Sequence, residues 1–120
     1  MMSAPILVYT YAKCSTCRDA TKWLRARGVN FVEKPIYEQP PTVPELRRML
    51  ALQDGQLRRL FNTSGLQYRE RNLAVRLPAL SEAEALALLA SDGRLVKRPF
   101  LLGDDFGLLG FDATRWDAAL

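Results

Sequence analysis

Residues 6–18 read ILVYTYAKCSTCR, and this stretch decides the fold. It opens with an apolar run, which is typical of a short buried β-strand. The motif Cys14-Ser15-Thr16-Cys17 follows, and apolar residues then recur at helical spacing until Gly28, a residue type that commonly ends helices. We therefore predict a strand over 6–9 and a helix over roughly 15–27, with both cysteines at the junction between them.

The region after this helix first repeats the strand and then changes to helices. An extended pattern over 31–34 completes a strand–helix–strand unit, and such units pair their two strands in parallel. The sequence over 42–45 is a capping box, in which a threonine and a glutamate satisfy the first free amides of a helix. We predict helices over about 43–52 and 56–62, and a turn over 62–65.

The C-terminal third adds two strands between two helices. A second capping box, 81–84, predicts a helix that runs toward residue 90. Two apolar stretches, 98–102 and 106–111, flank a Gly-Asp-Asp bend and predict an antiparallel hairpin. Asp112 is expected to cap a last helix. That helix is expected to bury two apolar side chains, Trp116 and Leu120.

The order of these elements predicts an α/β protein. We expect a thioredoxin-like fold with a mixed four-stranded sheet and an inserted helical subdomain over about 42–90, all in one domain over 1–120. Apolar residues make up 48% and charged residues 25% of the chain, which argues against disordered and fibrous classes. No apolar run approaches the roughly 20 residues that span a bilayer, and the N-terminus lacks a signal-peptide pattern. We expect a soluble, cytoplasmic monomer.

The lack of histidine and the small number of cysteines limit the kinds of catalytic and metal site that the chain can form. The chain has no histidine, which excludes Ser-His and Cys-His catalytic pairs and histidine metal sites. It has two cysteines, so a zinc site would need carboxylates to complete it, and a disulfide framework would need more pairs. We therefore expect no metal ion and no bound cofactor, and two thiols in a reducing compartment.

The two cysteine thiols are the candidate reactive groups of this sequence. The first amides of a helix lack partners within the helix and form the positive end of its dipole, which favours the thiolate form of Cys14. Cys17 lies one turn further on the same face, so we predict Cys14 as the nucleophile and Cys17 as the resolving thiol of an internal disulfide. Two other interpretations stay open, half of a zinc site and two incidentally buried cysteines. Residues around the cysteines are predicted to stabilise the thiolate or to bind substrate: Lys13, Ser15, Thr16 and Arg18.

The dipeptide Arg98-Pro99 is a second marker. A proline that starts a strand opposite the C-x-x-C loop suits a cis peptide bond, and Arg98 would then project toward Cys14 as the partner of an anion or a thiolate. The alternative is that Pro99 merely begins an edge strand. Spacing does not decide between the two.

Positive charge is concentrated in the middle of the chain. The formal net charge is +4, and residues 42–78 carry the whole excess, since seven arginines there face three acidic residues. Such a segment attracts an anionic substrate or an acidic protein face, or it is simply the solvated surface of helices. No aromatic-and-basic recognition motif accompanies the charge, so we expect no direct contact with nucleic acid.

Four motifs together resemble the arsenate reductase/Spx-like (ArsC-related) family, in order and in spacing. The resemblance covers nearly the whole chain, and it is strongest toward uncharacterised C-x-x-C members. It implies a thioredoxin-like fold with an inserted helical subdomain, a catalytic cysteine at Cys14, and an arginine before a cis-proline at Arg98. The motifs that carry it are 13–18, 61–70, 97–99 and 108–111.

The chain departs from the glutaredoxin-coupled arsenate reductases of this family. Those enzymes use one essential cysteine and bind the oxyanion with three arginines, of which Arg98 alone matches clearly. Asn62 stands at the position of the first arginine, and the last falls near 110–111. A doubly charged oxyanion needs several charge-assisted donors, and we take Arg69 or Arg71 as candidate substitutes.

The resemblance thus implies three candidate functions. The first is a thiol–disulfide oxidoreductase whose reductant is glutathione, thioredoxin or glutaredoxin and whose partner is a small thiol or a redox protein. The second is a redox-sensing transcriptional regulator like Spx, which binds RNA polymerase and shares the second thiol at Cys17. The third, arsenate reduction proper, is disfavoured by the missing arginines.

Overall fold

A computed structural model describes residues 5–120, and its centre is one mixed sheet. The strands are β1 (Ile6–Thr10), β2 (Phe31–Pro35), β3 (Phe100–Leu102) and β4 (Gly107–Leu109). They lie in the order β2-β1-β3-β4, with β1 parallel to β2 and antiparallel to β3, and with β3 antiparallel to β4. This is the four-stranded mixed sheet predicted from the sequence, with the strand–helix–strand unit and the hairpin both in place.

Helices cover both faces of the sheet and fill the chain between β2 and β3. The helices are α1 (Ser15–Ala26), α2 (Val43–Leu52), α3 (Leu66–Glu70), α4 (Leu73–Arg76), α5 (Glu82–Ser91) and α6 (Ala113–Ala119). Both predicted capping boxes are formed, with Thr42 and Ser81 as the N-cap residues of α2 and α5. Every helix within residues 5–120 is too short or too polar to span a bilayer.

The helix predicted over 56–62 was wrong in extent. That segment forms one turn of 3-10 helix, Leu57–Leu60. Two short helices that the pattern did not predict, α3 and α4, follow it, and Asn72 separates them in the left-handed conformation with φ of 53°. Helices of five and four residues are too short to display a helical period in the sequence.

The apolar side chains form two clusters, one on each face of the sheet. Alternate strand residues point to opposite faces. Val8 and Leu101 therefore pack with α1 and α6, while Tyr9 and Phe100 pack with the helices between β2 and β3. The rings of Tyr9 and Phe100 pack edge to face, with their centres 5.7 Å apart.

At the last helix, the structure confirms Trp116 as a core residue and shows that the prediction for Leu120 was wrong. Asp112 caps α6, and Trp116 is fully buried, with its indole N–H donating to the Gly110 carbonyl oxygen at 3.0 Å. Leu120, however, is 39% exposed. Because α6 ends at Ala119, Leu120 lies past the helix and does not continue the buried stripe that Trp116 begins.

One hydrogen bond joins the sheet to the capping box of α2. The hydroxyl of Tyr9 donates to Oε1 of Glu45 at 2.7 Å, and the same oxygen accepts the backbone N–H of Thr42 at 2.9 Å. Burial and the neighbouring carboxylate raise the pKa of Tyr9 well above that of a free tyrosine. The strand that leads to the cysteines is thus tied to the helical segment.

We expect Tyr9→Phe to lower the free energy of unfolding by about 2 kcal/mol at neutral pH, because a partly buried hydrogen bond to a charged group is lost. The folded pKa of Tyr9 is raised, so its contribution is complete below the unfolded value of 10.0 and is lost as pH rises beyond it. The difference in free energy of unfolding between the wild-type protein and the Tyr9→Phe variant should therefore become smaller above that pH. Urea unfolding at several pH values measures it.

Tyr68→Phe is the matched control, because Tyr68 is also buried but borders two cavities, and no side-chain hydrogen bond within residues 5–120 joins its hydroxyl to another residue. Equal losses of stability in the two variants would contradict the role assigned to Glu45.

Candidate functional site

Cys14 occupies the N-cap of α1, as the sequence predicted. Its backbone is extended, with φ of −97° and ψ of 112°, and its Sγ accepts the backbone N–H of Cys17 at 3.2 Å. The N–H of Cys14 itself donates to the Tyr11 carbonyl oxygen at 3.0 Å, which closes the turn between β1 and α1. The first turn of α1 contains no acidic residue. The sulfur therefore lies where unpartnered amides and the helix dipole favour negative charge.

Cys17 differs from Cys14 in exposure and in acidity. It is 1% exposed, whereas Cys14 is half-buried, and both thiols are free. Burial, and then the hydrogen bond to Cys14, raise the pKa of Cys17 to about 12. A backbone contact with Tyr11 and the charge of Arg98 act in the opposite direction. One sulfur is thus reachable and the other is held protonated beside it.

Arg98 rests on two aromatic rings. The Arg98–Pro99 peptide bond is cis, as expected, and the guanidinium carbon lies 5.2 Å from the ring centre of Tyr11 and 5.5 Å from that of Tyr37. The two rings stack on each other at 4.1 Å. Within residues 5–120, Nη1 of Arg98 is buried and has no hydrogen-bond partner. A buried cationic donor without a partner is costly, and an anionic oxygen or sulfur would satisfy it.

Tyr11 connects Arg98 to the cysteines. Its carbonyl oxygen accepts from Cys14, and its ring lies against the Arg98 guanidinium. The charge of Arg98 also reaches the Cys17 thiol, whose pKa it lowers. The structure therefore brings together the three residues that the sequence predicted as catalytic.

The neighbours of Cys14 are mostly exposed. Arg18 is held by its own loop, because Nη1 donates to the Ala12 carbonyl oxygen at 3.0 Å. Pro99 is buried beneath the site. The remaining predicted residues of this group are in contact with solvent: Lys13, Ser15 and Thr16.

Asn62 and Arg69 are engaged elsewhere. Asn62 shapes a turn, since its N–H donates to the Leu95 carbonyl oxygen at 2.7 Å and its own carbonyl oxygen accepts from Gly65 at 3.0 Å. Arg69 borders a cavity of about 330 Å³ that neither cysteine lines. Arg71, the other candidate substitute, pairs with Asp92 at 3.5 Å. Among residues 5–120, no hydrogen bond or ion pair joins Asn62 or Arg69 to the cysteines or to Arg98.

Sequence reasoning missed Tyr11 and Tyr37 as the support of Arg98. Tyr11 comes directly after β1, and Tyr37 comes two residues after β2. The carboxyl ends of two parallel, adjacent strands meet at one edge of a sheet, so this placement was a usable signal.

The site offers little to a metal ion. Among residues 5–120, no three side chains of the Cys, Asp and Glu types lie close enough to hold one. Two thiolates leave a tetrahedral zinc site half complete. The arrangement instead places a reachable sulfur, a buried sulfur and a cation around one turn.

Residues 9–119 match the ArsC family. The uncharacterised protein YusI of Bacillus subtilis is 44% identical over 109 residues, which cover 91% of this chain and 92% of YusI. Global transcriptional regulator Spx 2 of Bacillus cereus is 27% identical, over 89% of this chain and 80% of its own. A solved structure described as a possible arsenate reductase from Streptococcus mutans is 36% identical, with a TM-score of 0.88 over 98% of this chain and 99% of that one. The family and the thioredoxin-like fold expected from the sequence are confirmed.

We expect iodoacetamide to alkylate Cys14 at least about tenfold faster than Cys17 at pH 8, because Cys17 is buried and its raised pKa leaves almost no thiolate at that pH. Peptide mass mapping over a time course measures both rates in one sample. In denaturant the two rates should converge. Equal rates in the folded protein would contradict the asymmetry.

Proposed function

The chain belongs to the ArsC family, and we propose that it acts as a thiol–disulfide oxidoreductase with Cys14 as nucleophile and Cys17 as resolving thiol. The observation that carries this proposal is the hydrogen bond from the Cys17 amide to the Cys14 sulfur at 3.2 Å. It keeps the reachable sulfur at the start of α1 and one helical turn from the second thiol. A reachable sulfur at a helix N-terminus with a second thiol one turn away is the arrangement that an internal thiol–disulfide exchange uses, which supports the proposal.

In the first step, the Cys14 thiolate attacks one sulfur of a substrate disulfide. A bond forms between Cys14 and that sulfur, the substrate S–S bond breaks, and the second substrate sulfur leaves as a thiolate that takes a proton from water. The half-exposed position of Cys14 admits the substrate. The product of this step is a mixed disulfide on Cys14.

In the second step, Cys17 loses its proton to water and attacks the Cys14 sulfur. The Cys14–Cys17 bond forms, the mixed disulfide breaks, and the remaining substrate sulfur leaves as a thiolate. The pair has then given two electrons to the substrate. Two molecules of glutathione, or one reduced thioredoxin or glutaredoxin, return the two electrons and restore both thiols.

The raised pKa of Cys17 gives the two steps their order. Burial is the main cause of the raised pKa of Cys17, and the hydrogen bond with Cys14 and the negative charge of Cys14 add to it. Once Cys14 is bound in a mixed disulfide, its charge is gone, while the lowering effect of Arg98 persists. Cys17 thus becomes easier to ionise at the moment when the second step needs its thiolate.

Arg98 supplies the positive charge for the exchange. Its Nη1 has an unused donor, and a thiolate or an anionic substrate group is the partner we assign to it. Lys13 and Arg18 add positive charge at the exposed side of Cys14. The cycle depends on reduced thiols, so we place the protein in the cytoplasm.

We expect Cys14→Ser to abolish reduction of bis(2-hydroxyethyl) disulfide in an assay coupled to glutathione and glutathione reductase. Cys17→Ser should complete the first step and accumulate the mixed disulfide, which intact-protein mass spectrometry detects before glutathione is added. Ala118→Ser adds a hydroxyl on an exposed face of α6 and is the matched control, with unchanged turnover. An undiminished rate in Cys14→Ser would refute the nucleophile.

A second candidate function is a redox-sensing regulator that binds RNA polymerase. It is supported by the 27% identity to Spx 2 of Bacillus cereus, a global transcriptional regulator, and by the presence of two thiols. In this alternative, the Cys14–Cys17 disulfide changes the surface near the start of α1, and no turnover is needed.

On this alternative, purified bacterial RNA polymerase is retained by the immobilised protein in one redox state and not in the other. The Cys14→Ser/Cys17→Ser variant, which forms no disulfide, should behave as the reduced protein under both conditions. Absence of polymerase from both eluates would exclude the regulator.

Arsenate reduction remains the least supported candidate. Nη1 of Arg98 has no hydrogen-bond partner within residues 5–120, and neither Asn62 nor Arg69 forms a hydrogen bond with Arg98 there. Replacing the disulfide by arsenate in the coupled assay compares the two substrates directly.

A further inference from the structure

We propose that a groove beside Lys97 binds a small molecule that carries two or more phosphate groups. The groove has a volume of about 690 Å³, within the range of ligand sites in proteins. It lies between the 3-10 turn Leu57–Leu60, the segment before β3, and α6. Neither cysteine lines it, and Arg98 does not, so the proposal is independent of the redox chemistry.

Four cations from three separate segments converge on this groove. They are Arg58, Arg59, Lys97 and Arg115. No acidic residue is among its lining residues, and within residues 5–120 none of the four makes an ion pair. Arginines elsewhere, such as Arg27 and Arg94, do have carboxylate partners. The groove therefore holds positive charge that no carboxylate of the described part of the chain pairs with.

The number of positive charges in the groove indicates how much negative charge its ligand carries. Four neighbouring cations repel one another, and a monoanion compensates only one of them. A diphosphate or triphosphate brings several negative charges on a compact group, and guanidinium groups donate paired N–H bonds to phosphate oxygens. The four cations thus favour closely spaced phosphates over a single carboxylate.

The lining also supplies neutral donors and fixed geometry. Gln56 and Thr63 add an amide and a hydroxyl at the border of the groove. Arg115 is held in place because its Nη2 donates to the Leu109 carbonyl oxygen at 2.9 Å, which leaves its other N–H groups for a ligand. Gln53 is anchored in the same way, by donating to Gly107 at 3.1 Å. Holding these two side chains in place before binding reduces the entropy that they lose when a ligand binds.

The test is isothermal titration of the full chain with inorganic pyrophosphate at constant ionic strength. We expect submillimolar binding, and at least about tenfold weaker binding in Arg58→Gln/Arg59→Gln. The control Arg47→Gln/Arg76→Gln removes the same charge from exposed positions outside the groove and should change the affinity less than about twofold. Lys97→Gln is a second groove variant that remains informative should the first pair fold poorly.

Three results would overturn the proposal. The first is no binding at millimolar pyrophosphate. The second is equal weakening of binding in the groove pair and the control pair, which would indicate unspecific charge attraction. The third is tighter binding of citrate than of pyrophosphate, which would assign the groove to carboxylates. Cys14→Ser should bind pyrophosphate normally, so the result stands apart from the outcome of the disulfide assay.

Discussion

The amide of Cys17 donates a hydrogen bond to the sulfur of Cys14, and the arrangement of the site depends on this contact. At most helix starts, an oxygen of serine, threonine, aspartate or asparagine fills that place, as Thr42 and Ser81 do in α2 and α5. Here a sulfur fills it. The group that begins the helix is therefore also the group that reacts, and the end of β1 fixes its position through the carbonyl of Tyr11.

The helical segment between β2 and β3 contributes to the site indirectly. Tyr9 on β1 is anchored to Glu45 of α2, and its ring packs on Phe100 of β3. The strand before Cys14 and the strand after Arg98 are thus held by one apolar cluster. Reactive groups that lie far apart in the sequence meet because the two strands that carry them pair directly.

The parts of this molecule that follow local rules were predictable, and those that depend on packing were not. Capping boxes, the strand–helix–strand unit and the N-cap position of Cys14 each follow from a few neighbouring residues. The shortness of the 3-10 turn Leu57–Leu60, the helices α3 and α4, and the exposure of Leu120 depend on how distant segments meet. The importance of Arg98 came from family resemblance and spacing. The sequence places Tyr11 and Tyr37 at the ends of two adjacent strands, but the contact of both rings with Arg98 depends on packing.

The contact with the two aromatic rings affects how Arg98 interacts with incoming anions. A carboxylate beside Arg98 would cancel most of its field and compete with any incoming anion. Ring faces attract a cation through their quadrupole without carrying net charge. The rings thus position Arg98 while its full positive charge stays available, and within residues 5–120 no ion pair of Arg98 has to be broken before one anion replaces another.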